Sequence, residues 1–306
     1  MNRKYDLIII GGGPAGLTAG LYASRARLSA LLIEKGIIGG QIANAELVEN
    51  FPGFPQGISG FELGQLMHQQ ATGYGLETVA AEVTAVEFDK AVKVIHTSEE
   101  VYQAKTVIIA GGSERRKLGV RGEERLLGKG VSYCAICDGA LFRDQEVVVV
   151  GGGDAALTEA LFLSKFASKV TIVHRRDQLR ASRILQEKAF TNPKIEFLWH
   201  TVVEEISGDR EVKELKLRQV KTGERFTLAA RGIFIYVGLK PNTDYLKNIL
   251  PLDEAGHILV NELMETKIPG VFAAGDIRHN SIRQAITAAG DGATAALSAE
   301  RFIHEG

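Results

Sequence analysis

Cysteine is scarce in this sequence: only Cys134 and Cys137 occur in 306 residues. No second pair exists to complete a four-ligand structural zinc site. As a staple, a bridge between them would close a loop of four residues, which chain-entropy reasoning credits with only about 2 kcal/mol. That is a weak reason to keep both in a chain long enough to bury its own core. Charge of one sign is lacking as well. The 36 Lys and Arg nearly balance the 37 Asp and Glu, so there is no global field for nucleic acid or an anionic membrane, and any polyanion must be met by local clusters. Long apolar runs are missing too, which predicts neither a signal peptide nor a membrane span and a cytoplasmic location. In that compartment a thiol pair is more readily catalytic than structural. Cys134-Ala135-Ile136-Cys137 therefore reads as a redox dithiol, whose short loop makes each thiol an intramolecular attacker.

What the chain does contain is a repeat. Leu7 to Glu34 reads LIIIGGGPAGLTAGLYASRARLSALLIE, and Val147 to His174 reads VVVVGGGDAALTEALFLSKFASKVTIVH. Their first glycines, Gly11 and Gly151, stand 140 positions apart. Each copy is a short apolar run, a glycine turn, a helix of about three turns and a second apolar run, the pattern of a βαβ unit with a buried parallel sheet. Gly11, Gly13 and Gly16 give the spacing G-x-G-x-x-G, and Gly151, Gly153 and Ala156 give G-x-G-x-x-A. Such spacing admits a tight turn, close approach of a pyrophosphate to backbone, and tight helix–strand packing. The helix that follows turns free N–H groups and its positive dipole end toward the phosphates.

The two copies diverge where their ligands should diverge. Glu34 lies 23 positions after Gly11, where an acid accepts hydrogen bonds from an unmodified ribose. At the same offset the second copy has His174, followed by Arg175 and Arg176, with Arg180 a turn further on. Guanidinium groups there suit a 2′-phosphate, which an acid would repel. The second cradle is thus expected to hold NADPH.

Further apolar runs are expected as strands at Ala104 to Ala110, Gly232 to Val237 and Gly270 to Ala274, with a shorter one at Glu196 to Trp199. Asp276 ends the third of these, where its carboxylate could bond a polyol or cap a turn. From Ser281 onward Ile282, Ala285, Ile286 and Ala289 keep helical spacing, with Ser281 as the expected N-cap and Gly290 and Gly292 as weak points. Phe51-Pro52-Gly53-Phe54 suits a type II turn. Thr201 to Thr227 alternates as an exposed hairpin would and suggests no chemistry.

The order of two dinucleotide turns, CAICDG, HRRDQLRAS and AAGD resembles the low-molecular-weight thioredoxin reductases, from Tyr5 to about Ile303. The resemblance implies an α/β fold of two Rossmann-like domains, the second inserted into the first. An FAD domain would comprise residues 1–113 and 242–306, and an NADPH domain with the redox pair residues 114–241. It places Gly11, Gly13 and Gly16 at the FAD pyrophosphate and Glu34 at its adenosine ribose. Gly40, Gln41 and Asn50 fall near the flavin, Asp276 at the ribityl chain, and Gln284 with Ala285 at the pyrimidine edge. Gly151, Gly153, Ala156, His174, Arg175, Arg176 and Arg180 fall to NADPH. Cys134 and Cys137 become the redox disulfide, and Asp138 the general acid, a role that needs a raised pKa. The chain departs from the family pattern at Ala155, Thr158 and Gly111. Implied partners are a thioredoxin-like protein and a second copy of the chain, with no nucleic acid or membrane. The resemblance also implies rotation of the inserted domain about hinges near Ser113 to Gly119 and Tyr236 to Asn242. Two other readings remain at this stage: a flavin-dependent dithiol oxidase, which needs no NADPH arginines, and a flavin-binding redox sensor or interaction module.

Overall fold

A computed structural model describes residues 3–88 and 91–305. The chain divides into two compact units, one formed by residues 1–114 and 240–306, the other by residues 115–239.

In the first unit β1 (Arg3–Ile10), α1 (Pro14–Arg25) and β2 (Ala30–Glu34) form the first βαβ segment. They lead through α2 (Gly60–Thr72) to β3 (Glu77–Ala80), and then to β4 (Val83–Glu87), β5 (Lys93–Thr97) and β6 (Val101–Ile109). The sheet order is β3-β2-β1-β6-β5-β4. β3, β2, β1 and β6 run parallel, while β4 and β5 form an antiparallel hairpin on the early half of β6. The chain leaves this unit along β7 (Ser113–Arg115).

The second unit opens with β8 (Val131–Ser132) and the short α3 (Ala135–Asp138), then β9 (Glu146–Gly151), α4 (Asp154–Leu163) and β10 (Lys169–Val173). After α5 (Arg183–Phe190) and β11 (Ile195–Leu198) come β12 (Thr201–Ser207), β13 (Glu214–Gln219) and β14 (Arg225–Ala229), a three-stranded antiparallel sheet where the sequence suggested a hairpin. β15 (Gly232–Tyr236) returns to the parallel sheet, whose order is β11-β10-β9-β15-β8. β16 (Leu239–Pro241) pairs with β7, and the first unit is completed by β17 (Val271–Ala273), which extends the late half of β6, and by α6 (Ala285–Glu305).

Continuous apolar runs are explained by burial on both sheet faces. Leu7 and Ile9 pack with Leu17, Ala19 and Ala295 on the helical side, while Ile8 and Ile10 pack with Leu246, Ile258 and Ile277 on the other. In the second unit Val147 and Val149 face Leu157 and Leu163, and Val148 and Val150 face Ile206, Leu215 and Leu217 of the three-stranded sheet. Each such side chain contributes roughly 1.5–3 kcal/mol, so alternation would have forfeited half of the driving force.

Two expectations at the C-terminus are corrected. The last helix begins at Ala285, not at Ser281. The Ser281 hydroxyl donates to Asp276 Oδ1 at 3.0 Å, and Arg283 takes a left-handed φ of 62° that helix cannot continue through. Nor do Gly290 and Gly292 interrupt α6: a Cβ at Gly292 would lie 2.0 Å from the Ala15 carbonyl oxygen, so glycine is what lets α6 cross α1 closely. Among the described residues no helix is long and apolar enough to cross a membrane.

Candidate active site

The first cradle is built where β1 ends. At Gly11, φ is +111°, and a Cβ at Gly16 would sit 1.8 Å from the Gly11 carbonyl oxygen, so the strand and α1 meet only because both lack side chains. By contrast a Cβ at Gly13 would find no atom closer than 4.0 Å. Gly13 precedes α1 without a capping side chain, whereas α2 is capped by Ser59, whose Oγ accepts from Glu62 N–H. Open space over an uncapped helix start is what a pyrophosphate requires. Glu34 ends β2 beside this turn. Its Oε2 accepts from Gly12 N–H at 2.6 Å and its Oε1 from Gly36 N–H at 2.7 Å. Both oxygens keep a lone pair for ribose hydroxyls.

Four distant segments supply the rest. Gly39 N–H donates to the Gly12 carbonyl at 2.8 Å, which brings Gly40 and Gln41 against the glycine turn. The Asn50 amide donates to Gln284 Oε1 at 3.0 Å. Gln284 and Ala285 stand at the start of α6, and Asp276 stands in the turn after β17. Burial pushes the Asp276 carboxyl above its ordinary range, against the hydrogen bond from Ser281 and the charge of Arg283. Beneath it Arg278 donates to both oxygens of Asp291, at 2.7 and 2.8 Å, and Gly275 N–H joins them at 3.1 Å. The sequence reading missed this buried pair, because an acid inside the α6 pattern gives no sign of what it faces.

The second cradle repeats the design. A Cβ at Gly153 would meet nothing within 4 Å, and α4 also starts without a capping side chain. Ala156, in the third glycine position, is buried. His174 has a different placement from its neighbours. Its ring is buried, lying so close under the turn that a Cβ on Gly152 would be 2.4 Å from Cε1, and its Nε2 lies 3.0 Å from the Gln178 carbonyl oxygen. Burial depresses its pKa, and the charges of Arg180 and Arg176 add to that. A neutral imidazole there shapes the turn from below. Arg175, Arg176 and Arg180 are exposed, and Arg180 N–H donates to the Gly152 carbonyl at 2.7 Å, folding its loop back over the cradle.

Between β8 and β9 lies the thiol pair. Cys134 and Cys137 form a disulfide with Cα atoms 5.4 Å apart. Cys137 is exposed and Cys134 half-buried. Cys137 N–H donates to Cys134 Sγ at 3.2 Å, and Ser132 Oγ accepts from Cys134 N–H at 3.0 Å. Asp138, half-buried, follows directly and lines a cleft of about 310 Å³ with Leu141, Phe142 and Arg231.

Two glycine cradles and a bridged dithiol are the parts of one known family. The sequence pattern of the pyridine nucleotide-disulphide oxidoreductases matches residues 5–292. This chain belongs to that family. Within the family it is 50% identical over 304 residues to thioredoxin reductase of Bacillus subtilis, spanning 99% of this chain and 96% of that one. Thioredoxin reductase of Peptoclostridium acidaminophilum is 47% identical, with 99% and 98% covered. The crystal structure of Lactococcus lactis thioredoxin reductase superposes with a TM-score of 0.96 at 47% identity, covering 98% and 99% of the two chains. That of T. acidophilum thioredoxin reductase gives 0.94 at 37%. The expected α/β fold with two dinucleotide-binding domains is the fold found.

Proposed function

We propose that this oxidoreductase is a thioredoxin-disulfide reductase that takes electrons from NADPH through FAD to the Cys134–Cys137 pair and on to a thioredoxin-like protein. FAD belongs to the unit formed by residues 1–114 and 240–306, and NADPH to residues 115–239. Carrying this reading is the difference between the cradles: Glu34 ends the second strand of one, and Arg175 and Arg176 follow the second strand of the other. When bound, the two cofactors supply hydride and a two-electron carrier able to reduce a disulfide.

The protein's own groups do the rest. Gly11, Gly13 and Gly16 admit one pyrophosphate, with Glu34 on its ribose, and Gly40, Gln41, Asn50, Asp276, Gln284 and Ala285 hold the flavin part. Gly151, Gly153 and Ala156 admit the other pyrophosphate over a turn supported by His174, while Arg175, Arg176 and Arg180 clamp the 2′-phosphate. Two electrons and two protons convert the Cys134–Cys137 bridge to a dithiol. One thiolate then attacks a partner disulfide, forming a mixed disulfide and expelling a partner thiolate, which Asp138 protonates. The second cysteine attacks the mixed disulfide, releases the partner's other sulfur as thiol and restores the bridge. The chain acts as a homodimer in the cytoplasm.

Anaerobic titration with NADPH tests this reading. Bleaching of the flavin band followed by stoichiometric consumption of oxidised thioredoxin is the expected result. Bleaching reversed by air alone, with no partner consumed, points to the oxidase; no bleaching leaves a sensor module or another donor. Asp138→Asn should slow reoxidation of the dithiol about tenfold or more with flavin content unchanged.

A further inference from the structure

Outside the assigned roles lie the Asp253–His257–His279 cluster, the apolar groove beside Phe302, and the surroundings of the dithiol. Only the last borders the turn that carries the sulfurs. Tyr236, at the end of β15, places its hydroxyl oxygen 3.1 Å from Ala135 N–H, inside the turn that carries both sulfurs, and accepts that hydrogen. A phenol has one hydrogen of its own. Glu159 on α4, 7% exposed, lies beside this phenol, and its charge disfavours the phenolate. Arg115 completes the group: its guanidinium lies 3.9 Å from Glu159 Oε1 and 4.3 Å from the centre of the Tyr236 ring. On the other flank Tyr133, directly before Cys134, donates to Glu123 Oε1 at 2.5 Å. Glu123 is 2% exposed and also accepts from Leu118 N–H at 2.8 Å and Gly119 N–H at 2.7 Å.

We propose that Tyr236 and Tyr133 are positioning residues that grip the dithiol turn from both sides and hold Cys137 N–H aimed at the Cys134 sulfur, favouring a thiolate on Cys134. This rests on the reductase reading above. The turn has few other restraints: α3 is four residues long, and Cys137 is exposed. Opening the bridge removes its one covalent restraint, so the geometry that stabilises the thiolate must be imposed from outside the turn. Tyr133, held by the buried Glu123 carboxylate, and Tyr236, bonded to Ala135 N–H, do this without bringing a charge of their own beside the sulfur. Burial, followed for Tyr133 by hydrogen bonding to Glu123 and for Tyr236 by the charge of Glu159, pushes both phenols above their ordinary range, so both remain donors throughout working pH. Besides these groups the reduced turn carries the Cys137 thiol and the Asp138 carboxyl.

The test measures the rate of iodoacetamide reaction at Cys134, located by mass spectrometry, against pH. The enzyme is reduced chemically, so that the result does not depend on NADPH. In Tyr236→Phe the apparent thiol pKa should rise by about one unit, a roughly tenfold slower reaction at neutral pH, with flavin absorbance unchanged. Tyr133→Phe should shift it in the same direction. Glu159→Gln, which leaves the bond from Ala135 N–H to the Tyr236 hydroxyl in place, should shift it less than Tyr236→Phe. If Tyr236→Phe does not fold, Tyr133→Phe decides. A profile superimposable on wild type in the folded variant overturns the proposal. A normal profile shift in a protein that NADPH cannot reduce would sink the reductase reading and leave the grip standing.

Discussion

Asn50 and Gln284 are 234 positions apart, yet the amide of the first donates to the side-chain oxygen of the second at 3.0 Å. The bond joins the loop before α2 to the start of α6, the two segments assigned to the flavin ring. Asn50→Ala and Gln284→Ala should each weaken FAD binding about three- to tenfold. The double variant should be little worse than either, with a coupling of about 0.5–1.5 kcal/mol. Flavin release followed by fluorescence provides the cycle; additive effects would show that the two amides act separately.

Two glycines of the same motif should behave in opposite ways. At Gly16 a Cβ would collide with the Gly11 carbonyl oxygen at 1.8 Å, whereas at Gly153 it meets nothing within 4 Å. Gly16→Ala should cost about 1–3 kcal/mol, lowering the melting temperature and the flavin content. Gly153→Ala should melt like wild type and keep its flavin, but bind NADPH about tenfold more weakly because the methyl group occupies the pyrophosphate's space. Thermal melts, flavin absorbance and NADPH titration separate the two cases.

The arginine cluster can be read without turnover. Trp199, the chain's one tryptophan, lies with its ring 6.2 Å from that of His174, edge to face. Its emission should respond to 2′,5′-ADP. Arg176→Gln should weaken that ligand roughly 10- to 100-fold, as expected for losing charge-assisted bonds to phosphate. The affinity for 5′-AMP should stay constant. Equal losses for both nucleotides would remove Arg176 from 2′-phosphate recognition.

Asp276 links pH to folding. Its carboxyl is raised by burial from an ordinary value of 3.8, so the folded chain holds this proton more tightly than the unfolded one. Stability therefore falls as pH climbs through the ordinary value toward the folded one, and the deficit persists above it. Asp276→Asn removes the deficit: without flavin it should melt above wild type at pH 7, with the gap closing below about pH 4. With flavin the order should reverse, as FAD affinity falls about tenfold on losing a charged acceptor. An unchanged flavin affinity would remove Asp276 from the ribityl site.

Much of this site was legible along the chain because its parts are local. Gly11 to Glu34 and Gly151 to Arg176 are each one βαβ unit, in which the same few residues encode the strand, the turn and the phosphate-binding helix start. The helix N-cap at Ser281 was misplaced for the opposite reason. Its oxygen accepts from Arg283 N–H at 3.2 Å while its hydrogen goes to Asp276, and the left-handed Arg283 delays the helix to Ala285. His174 likewise occupies the motif position of a phosphate contact, but its ring turns inward beneath Gly152.

By itself the sequence determined the two βαβ units, their glycine turns with an acid after one and arginines after the other, and the thiol pair, since apolar period, glycine spacing and charge are properties of neighbours in the chain. Tertiary structure alone decided what holds the sulfurs. Tyr236 reaches Ala135 across 101 positions because β15 pairs with β9 in a register that sets Tyr236 opposite Gly151. Register and the burial of Glu159 and Glu123 arise from packing between distant segments, where a one-residue slip would turn the phenol to the other face of the sheet.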